Sequence, residues 1–376
     1  MRRFPPWIGA ACLVLLASAV FAARVRHEMA DFEVYRVGGA RVVAGESLYR
    51  AEDGHWQFKY LPVFGFAVAP LSQLPPLPAR AIWFALLVGL LVVLLNRSLA
   101  LLPDRRHGSG FLVGLTAVAL GKFYLHEINL GQSNLLLGAA VIGAVAAWRG
   151  RRDATAGALL AAAAMVKPYA IVFLPYLIVR RRWRSGAAFA GVLVAALALP
   201  ALRYGWSGNL SLLGQWWAVI TTSTAPNLLG QDNVSIAGMY AAWLGIGPAA
   251  TWLAAGTSVL VVLACGYALI LRTPARFPAY LDVSLLLFVI PLLSPQGWDY
   301  VLLLGTPAVM LLLDRLGEFA RPQRWLLLAC MAIVGLTIWD LLGRDLYSVV
   351  MMSRVVTLCA LCQIWFLIRL RARGAA

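Results

Sequence analysis

Acidic residues are scarce in this chain. Sixteen Asp and Glu stand against thirty-two Lys and Arg in 376 residues, and only 13% of the sequence is charged. A soluble domain carries about a quarter of its residues as charges, so this shortfall, together with 61% hydrophobic residues, excludes an ordinary water-exposed globule. Metal ligands are also scarce: the one Cys pair at helical spacing, Cys359 and Cys362, lies in an apolar run, and no Asp-x-Asp occurs, so no metal site is expected. Neither a phosphate-cradling P-loop nor a dinucleotide fingerprint is present, which argues against a nucleotide-driven pump and against use of a soluble nucleotide sugar. No cofactor is implied. The five cysteines, Cys12, Cys265, Cys330, Cys359 and Cys362, lie in apolar runs, where a free thiol packs as a small hydrophobe. No internal repeat or low-complexity tract is visible.

What the chain does have is apolar runs. Lipid needs about 20 residues per helical crossing, and only helices satisfy their own backbone there. The sequence therefore predicts an all-α polytopic membrane protein, a single integral membrane domain over residues 1–376 with about twelve transmembrane helices. The expected spans are 7–23, 80–102, 111–126, 132–148, 154–166, 168–179, 186–202, 249–271, 279–293, 298–313, 324–340 and 348–368. The first run follows Arg2-Arg3 and carries small residues that suit signal cleavage. It is read as a retained anchor, because eleven further spans need no separate leader.

With the N-terminus inside, twenty of the thirty-two basic residues and five acidic ones fall on the cytoplasmic side, in the short segments where positive charge reports orientation best. Nearly all of the net +16 then faces the cytoplasm, which topology and anionic lipid explain without nucleic acid. Residues 24–79 and 203–248 become two large extracytoplasmic loops. Within them, 60–74 and 235–246 are too short or too proline-rich to cross and read as helices lying on the outer interface. Basic clusters at both ends of 154–179 leave two forms open: a tight pair of short crossings, or a re-entrant hairpin turning at Lys167-Pro168.

The unusual polar residues converge on that outer face. Six of the sixteen acids lie between Glu28 and Asp53, with Asp31 just past the first span. Glu33, Glu46, Glu52 and Asp53 read as solvated loop charges, with Asp31 and Glu33 on opposite sides of an extended stretch. Lys122 and His126 end the third span, though His126 is not expected as a ligand. Gln132-Ser133-Asn134 either caps the fourth span or lines a site. Lys167 must snorkel or serve a function, because a charge in lipid is costly. Trp206, Trp216 and Trp217 read as an interfacial belt. Gln231-Asp232-Asn233 and Ser294-Pro295-Gln296-Gly297-Trp298-Asp299-Tyr300 complete a cleft at the membrane surface. A transporter or flippase of an anionic lipid or lipid-linked sugar also suits broken helices and an intramembrane lysine. Clustering at one face rather than the midplane weighs against it.

Several of these runs carry a resemblance. Asp31-Phe32-x-Val34-Tyr35-Arg36-x-Gly38-Gly39, then Gly45-x-x-Leu48-Tyr49, Tyr60-x-Pro62, Gly131-Gln132-x-Asn134, Lys167-Pro168, Asn233-x-Ser235 and Ser294-Pro295…Trp298 resemble, in order over roughly 25–300, the motifs of family 87 glycosyltransferases. The resemblance implies a GT-C-like fold and an inverting hexosyltransferase in a bacterial cell membrane. That enzyme would move a mannose-like sugar from a polyprenyl phosphate to a lipid or glycan acceptor on the extracytoplasmic face. It implies Asp31 as catalytic base and Lys167, Arg36 and Lys59 as holders of the donor phosphate. Tyr35, Tyr60, Gln132, Asn134, Asp232, Asn233, Gln296, Trp298 and Asp299 become substrate contacts. No metal is required. One departure stands out: many relatives place histidine after the tryptophan of the late motif, where this chain has Asp299-Tyr300.

Overall fold

The computed structural model describes residues 17–270 and 277–374, apart from the side chains of residues 224 and 225. Most of the expected first span, with Cys12, lies outside the described residues, as do Arg272 and Arg276. Every regular element among the described residues is helical. Two helices, α1 (Ala30–Ala44) and α2 (Pro62–Ser72), pack together ahead of the bundle. The bundle itself begins with α3 (Pro76–Leu101), α4 (Ser109–Leu130), α5 (Asn134–Arg149), α6 (Asp153–Val166), α7 (Phe173–Val179) and α8 (Trp183–Ala198). It continues through α9 (Ala201–Thr222), α10 (Ile236–Leu244), α11 (Pro248–Ile270) and α12 (Pro278–Leu293) to α13 (Thr306–Asp314), α14 (Arg321–Leu336), α15 (Trp339–Met352) and α16 (Val355–Arg373).

Among the described residues four helices, α3, α4, α11 and α16, are long and apolar enough to cross a membrane, or up to six spans if the bent pairs α8–α9 and α14–α15 count as one each. Lipid-facing character is plain on α3, α4 and α11, whose Ile82, Val93, Val118, Leu260 and Leu263 are exposed. The centre is the opposite. In α12 every residue from Ala279 to Leu292 is buried, and α13 is buried throughout. A helix apolar on all sides is stable only with neighbours on all sides, so these two form the axis around which the others stand.

Five local readings differ from expectation. The stretch around Asp31, expected as extended loop, is a helix, α1. Its two internal glycines cost about 1 kcal/mol each against Ala, and close packing explains them: a Cβ on Gly39 would sit 3.0 Å from the Ala69 backbone in α2. The run expected at 298–313 is instead a 3-10 turn, Asp299–Gly305, followed by α13, whose first turn carries Pro307. The stretch after residue 202, expected as loop, holds α9, bent 92° from α8; α15 is bent 99° from α14. Each bent helix contains a glycine with positive φ, Gly205 (φ 69°) and Gly343 (φ 72°), a conformation that L side chains avoid. That second bend delays the last long helix to Val355. The cap of α5 also differs. Ser133 makes no capping hydrogen bond; the Glu127 carboxylate from α4 accepts from the Leu135 backbone N–H (3.0 Å) and from Asn134 Nδ2 (2.8 Å).

One end of the bundle is tied by ion clusters. Fully buried Asp282 accepts from Arg180 (2.5 Å) and Arg371 (2.8 Å), and Asp314 accepts from the backbone N–H groups of Arg106 and His107, both at 2.9 Å. The other end carries the polar cleft.

Candidate active site

A cleft of about 470 Å³ opens among the first turn of α1, the segment before α2, the α4–α5 junction, the break after α6, one face of α9 and the turn after α12. The break after α6 follows from chemistry. A residue before proline is pushed out of the helical region, and Lys167 is accordingly extended (φ −139°, ψ 113°) ahead of the 3-10 turn Pro168–Val172. Lys167 is thereby turned into the cleft.

Gln132 is the hub. Its Oε1 accepts from Lys167 Nζ (3.1 Å) and from the hydroxyls of Tyr35 and Tyr60 (both 3.3 Å). Those two hydroxyls lie 2.7 Å apart, and Lys167 Nζ stands 5.2 Å from the Tyr60 ring centre. With its oxygen fully used, the Gln132 amide has only N–H to offer, and it favours the charged form of neighbouring Asp31. Behind this layer, Tyr169 donates to Asn134 Oδ1 (2.7 Å), which joins the cleft wall to the Glu127 cap.

Burial raises the Asp31 pKa above its usual value; the Gln132 hydrogen bond and the charges of Lys167, His126 and His55 pull it down without cancelling the burial. The Lys59 pKa is lowered, chiefly by burial, against the opposing charge of Asp31. That of Asp232 is raised by burial and by neighbouring Asp299. The cleft thus holds a carboxylate poised to take a proton beside ammonium groups able to meet an anion.

Two chain segments clasp the far wall. Asn233 and Trp298 form an isolated antiparallel bridge, Val234 N–H donates to Gly297 O (2.7 Å) and Asp299 N–H donates to Asp232 O (2.8 Å). Asn233 Nδ2 donates to Pro295 O at 2.8 Å. Asp299 is buried, with its Oδ2 3.6 Å from Lys122 Nζ and its Oδ1 3.5 Å from His126 Nδ1. Tyr347 of α15 donates to Asp232 (3.0 Å), and buried Arg354 donates to the carbonyls of Gly230, Gln231 and Asn233.

Of the residues expected from sequence, Asp31, Tyr35, Lys59, Tyr60, Gln132, Lys167, Asp232, Gln296 and Trp298 line the cleft. Asn134, Asn233 and Asp299 stand behind its wall as braces. Arg36 is not part of the lining: it pairs with Glu33 (3.1 Å) and donates to Leu74 O (3.1 Å). Asp53 is no free loop charge but holds Arg41 through two hydrogen bonds, at 2.5 and 2.7 Å. Trp206 and Trp217 are exposed, as a belt would be, whereas Trp216 lines the cleft and donates to Lys59 O at 3.2 Å. Sequence reasoning passed over His55, His126, Tyr169 and Arg354. For His126 a signal existed: it lies one turn from Lys122, on the same helical face. Arg354 offered none, because its partners are backbone carbonyls.

A helical membrane protein with a carboxylate and lysines in one cleft at a bundle end has the equipment for group transfer to a hydroxyl. The family model for glycosyltransferase family 87 matches residues 58–295, and the chain belongs to that family. The match takes in Lys59, Tyr60, Gln132, Lys167 and Asp232; α1 with Asp31 precedes it, and Gln296, Trp298 and Asp299 follow it. No curated protein matches the chain. The protein is therefore a membrane-embedded glycosyltransferase that uses a sugar donor and an acceptor.

Proposed function

We propose that this glycosyltransferase takes a sugar, a mannose-like hexose, from a polyprenyl phosphate and transfers it with inversion to a hydroxyl of a lipid-linked or glycan acceptor. The site would face the extracytoplasmic side of a bacterial inner membrane, with about twelve helices crossing and α2 and α10 lying on the outer interface. The observation that carries the reading is the shared cleft: Asp31, raised in pKa and held by Gln132, together with Lys59 and Lys167.

An acceptor hydroxyl is a weak nucleophile until a placed base takes its proton. As its oxygen bonds to the anomeric carbon, the proton passes to the Asp31 carboxylate. The bond from that carbon to the phosphate oxygen breaks, and the polyprenyl phosphate leaves as an anion. Lys167, and Lys59 beside it, meet the charge that develops there. Gln132 stands between the two halves, its oxygen taken by Lys167 and its amide beside the base.

Membranes containing the full chain, supplied with a panel of polyprenyl-phosphate sugars, should form a new glycosidic bond with at least one and release polyprenyl phosphate in equal amount. Movement of a lipid-linked sugar across the bilayer with no bond formed would defeat the reading. For orientation, single cysteines placed at positions 53 and 230 should be labelled from outside the cell and those at 151 and 321 should not. Labelling at 151 from outside would invert the arrangement.

A further inference from the structure

A second cleft, of about 370 Å³, lies against the first. The two share Val34 and Trp56 as a common wall. The partition is the start of α1. Ala30, Glu33, Val34 and Val37, at helical spacings of three, four and seven, line the second cleft, while Asp31 and Tyr35 on the adjoining stripe line the first. The carboxylate assigned as base therefore sits on a ridge between two spaces.

Their charges differ in kind. The first cleft brings Lys59, Lys167, His55 and His126 around Asp31 and Asp232. The second brings Glu28, Glu33 and Asp53 together with one cation, Arg80. Arg80 is fixed in place: its Nη1 donates to the carbonyls of Arg26 (3.1 Å) and His27 (2.9 Å), and its Nη2 lies 4.0 Å from Glu33. Its Nε is buried and has no hydrogen-bond partner among the described residues. Trp56 is half exposed, at 50%. Carboxylates that accept from hydroxyls and an indole beside an apolar strip match a sugar ring, which has an apolar C–H face and a rim of hydroxyls. Glu33 and Asp53 are already countered by Arg36 and Arg41, and Arg80 is committed to two carbonyls, so the lining offers a phosphate no uncommitted cation.

We propose that the second cleft is the acceptor subsite and that the unit it takes is a neutral sugar rather than an anionic lipid headgroup. The proposal rests on Asp31 being the base. A neutral ring seated there presents a hydroxyl across the ridge to Asp31, while the anionic donor stays on the cationic side. Acceptor and donor are thus sorted by charge before they meet.

Val37→Trp is the test, because Val37 lines only the second cleft and is exposed, so a larger side chain fills that space without disturbing the core. With hexyl mannoside as acceptor, the variant should raise acceptor KM at least tenfold and leave donor KM within twofold. A wild-type chain should use the 6-phosphorylated glycoside at least tenfold less well. A rise in donor KM with acceptor KM unchanged, no change in either, or equal use of the phosphorylated glycoside would overturn the proposal. Direct binding separates its failure from that of the parent reading. If no polyprenyl-phosphate sugar is turned over, hexyl mannoside should still bind the Asp31→Asn protein and lose at least tenfold in affinity on adding Val37→Trp. Binding that ignores Val37→Trp would remove the subsite.

Discussion

Asp31 and Asp282 are both carboxylates surrounded by cations, and they illustrate opposite uses of the same chemistry. Asp282 is fully buried and its oxygens are taken, by Arg180 at 2.5 Å, Arg371 at 2.8 Å and the Tyr176 hydroxyl at 3.4 Å. Asp31 is only partly buried and is eased toward its charged form by Gln132, Lys167, His126 and His55 without being saturated by them. A carboxylate enclosed by its donors holds helices together and has no side open to a substrate. An under-coordinated one beside a cleft is costly to keep ionised, and that cost is what makes it a base. The difference lies in coordination, not in residue type.

The largest expected effect breaks the comparison at Asp31. Asp31→Asn keeps shape and removes the basic oxygen, so transfer should fall about 10²–10⁴-fold while donor binding persists. Undiminished transfer in that variant, with loss on Asp232→Asn instead, would move the base to the far wall. The same substitution should stabilise the protein. Because burial raises the folded-state pKa above the unfolded one, the folded chain binds more protons between those two values. Stability therefore falls as pH rises through that interval, and above it the ionised Asp31 is a standing penalty that Asn lacks. A melting curve at neutral pH should show the variant at or above the wild type. The acid limb of the pH–rate profile should likewise lie above the ordinary carboxylate value of 3.8.

Next in size is Asp282→Asn, which should leave two arginines facing each other without a countercharge. Removing one partner of a buried pair costs about 3–5 kcal/mol, so thermal stability in detergent should drop while KM for donor in the surviving folded fraction stays unchanged. A smaller effect belongs to Lys167→Ala. Losing a hydrogen bond to a charged group costs roughly 1.5–3 kcal/mol, read as weaker donor binding or slower turnover; normal values for both in a correctly inserted protein would leave Lys167 a snorkelling side chain. The smallest is Glu33→Gln. Two residues from Asp31 but on another face of α1, it should change kcat little and acceptor KM by only a few-fold.

Much of the helical layout was legible because apolar runs are punctuated sharply. The expected spans 132–148, 154–166 and 279–293 lie within two residues of α5, α6 and α12 at every end, since Asn134, the arginine clusters and Lys167-Pro168 mark where lipid-compatible sequence stops. What stayed hidden depends on pairings distant in sequence. Gly38-Gly39 looks hostile to a helix until Ala69 is seen against it. Helices α9 and α15 carry exposed tryptophans and polar residues together, so their amphipathic character reads as loop in a search for spans. At the site, the polar clusters that converge in the cleft were visible as breaks in hydrophobicity. Which member faces substrate and which braces the wall was not, because Asn134 and Asn233 turn inward only through Glu127 and Pro295.

The brevity of the helices beneath the cleft has its own consequence. α6 has 14 residues and rises about 21 Å, and α5 and α12, with 16 residues each, rise about 24 Å. A typical hydrocarbon core is about 30 Å thick. None of the three helices meets lipid along its length: α12 is enclosed on all sides, α5 has no exposed residue before Arg149, and α6 is exposed only at Ala154 and Thr155. The longer α3, α4 and α11 carry the exposed apolar side chains, so the bilayer need not thin. On the threading proposed above, the short helices stop below the outer headgroup plane, and the cleft floor at Lys167 is a recess inside the membrane thickness.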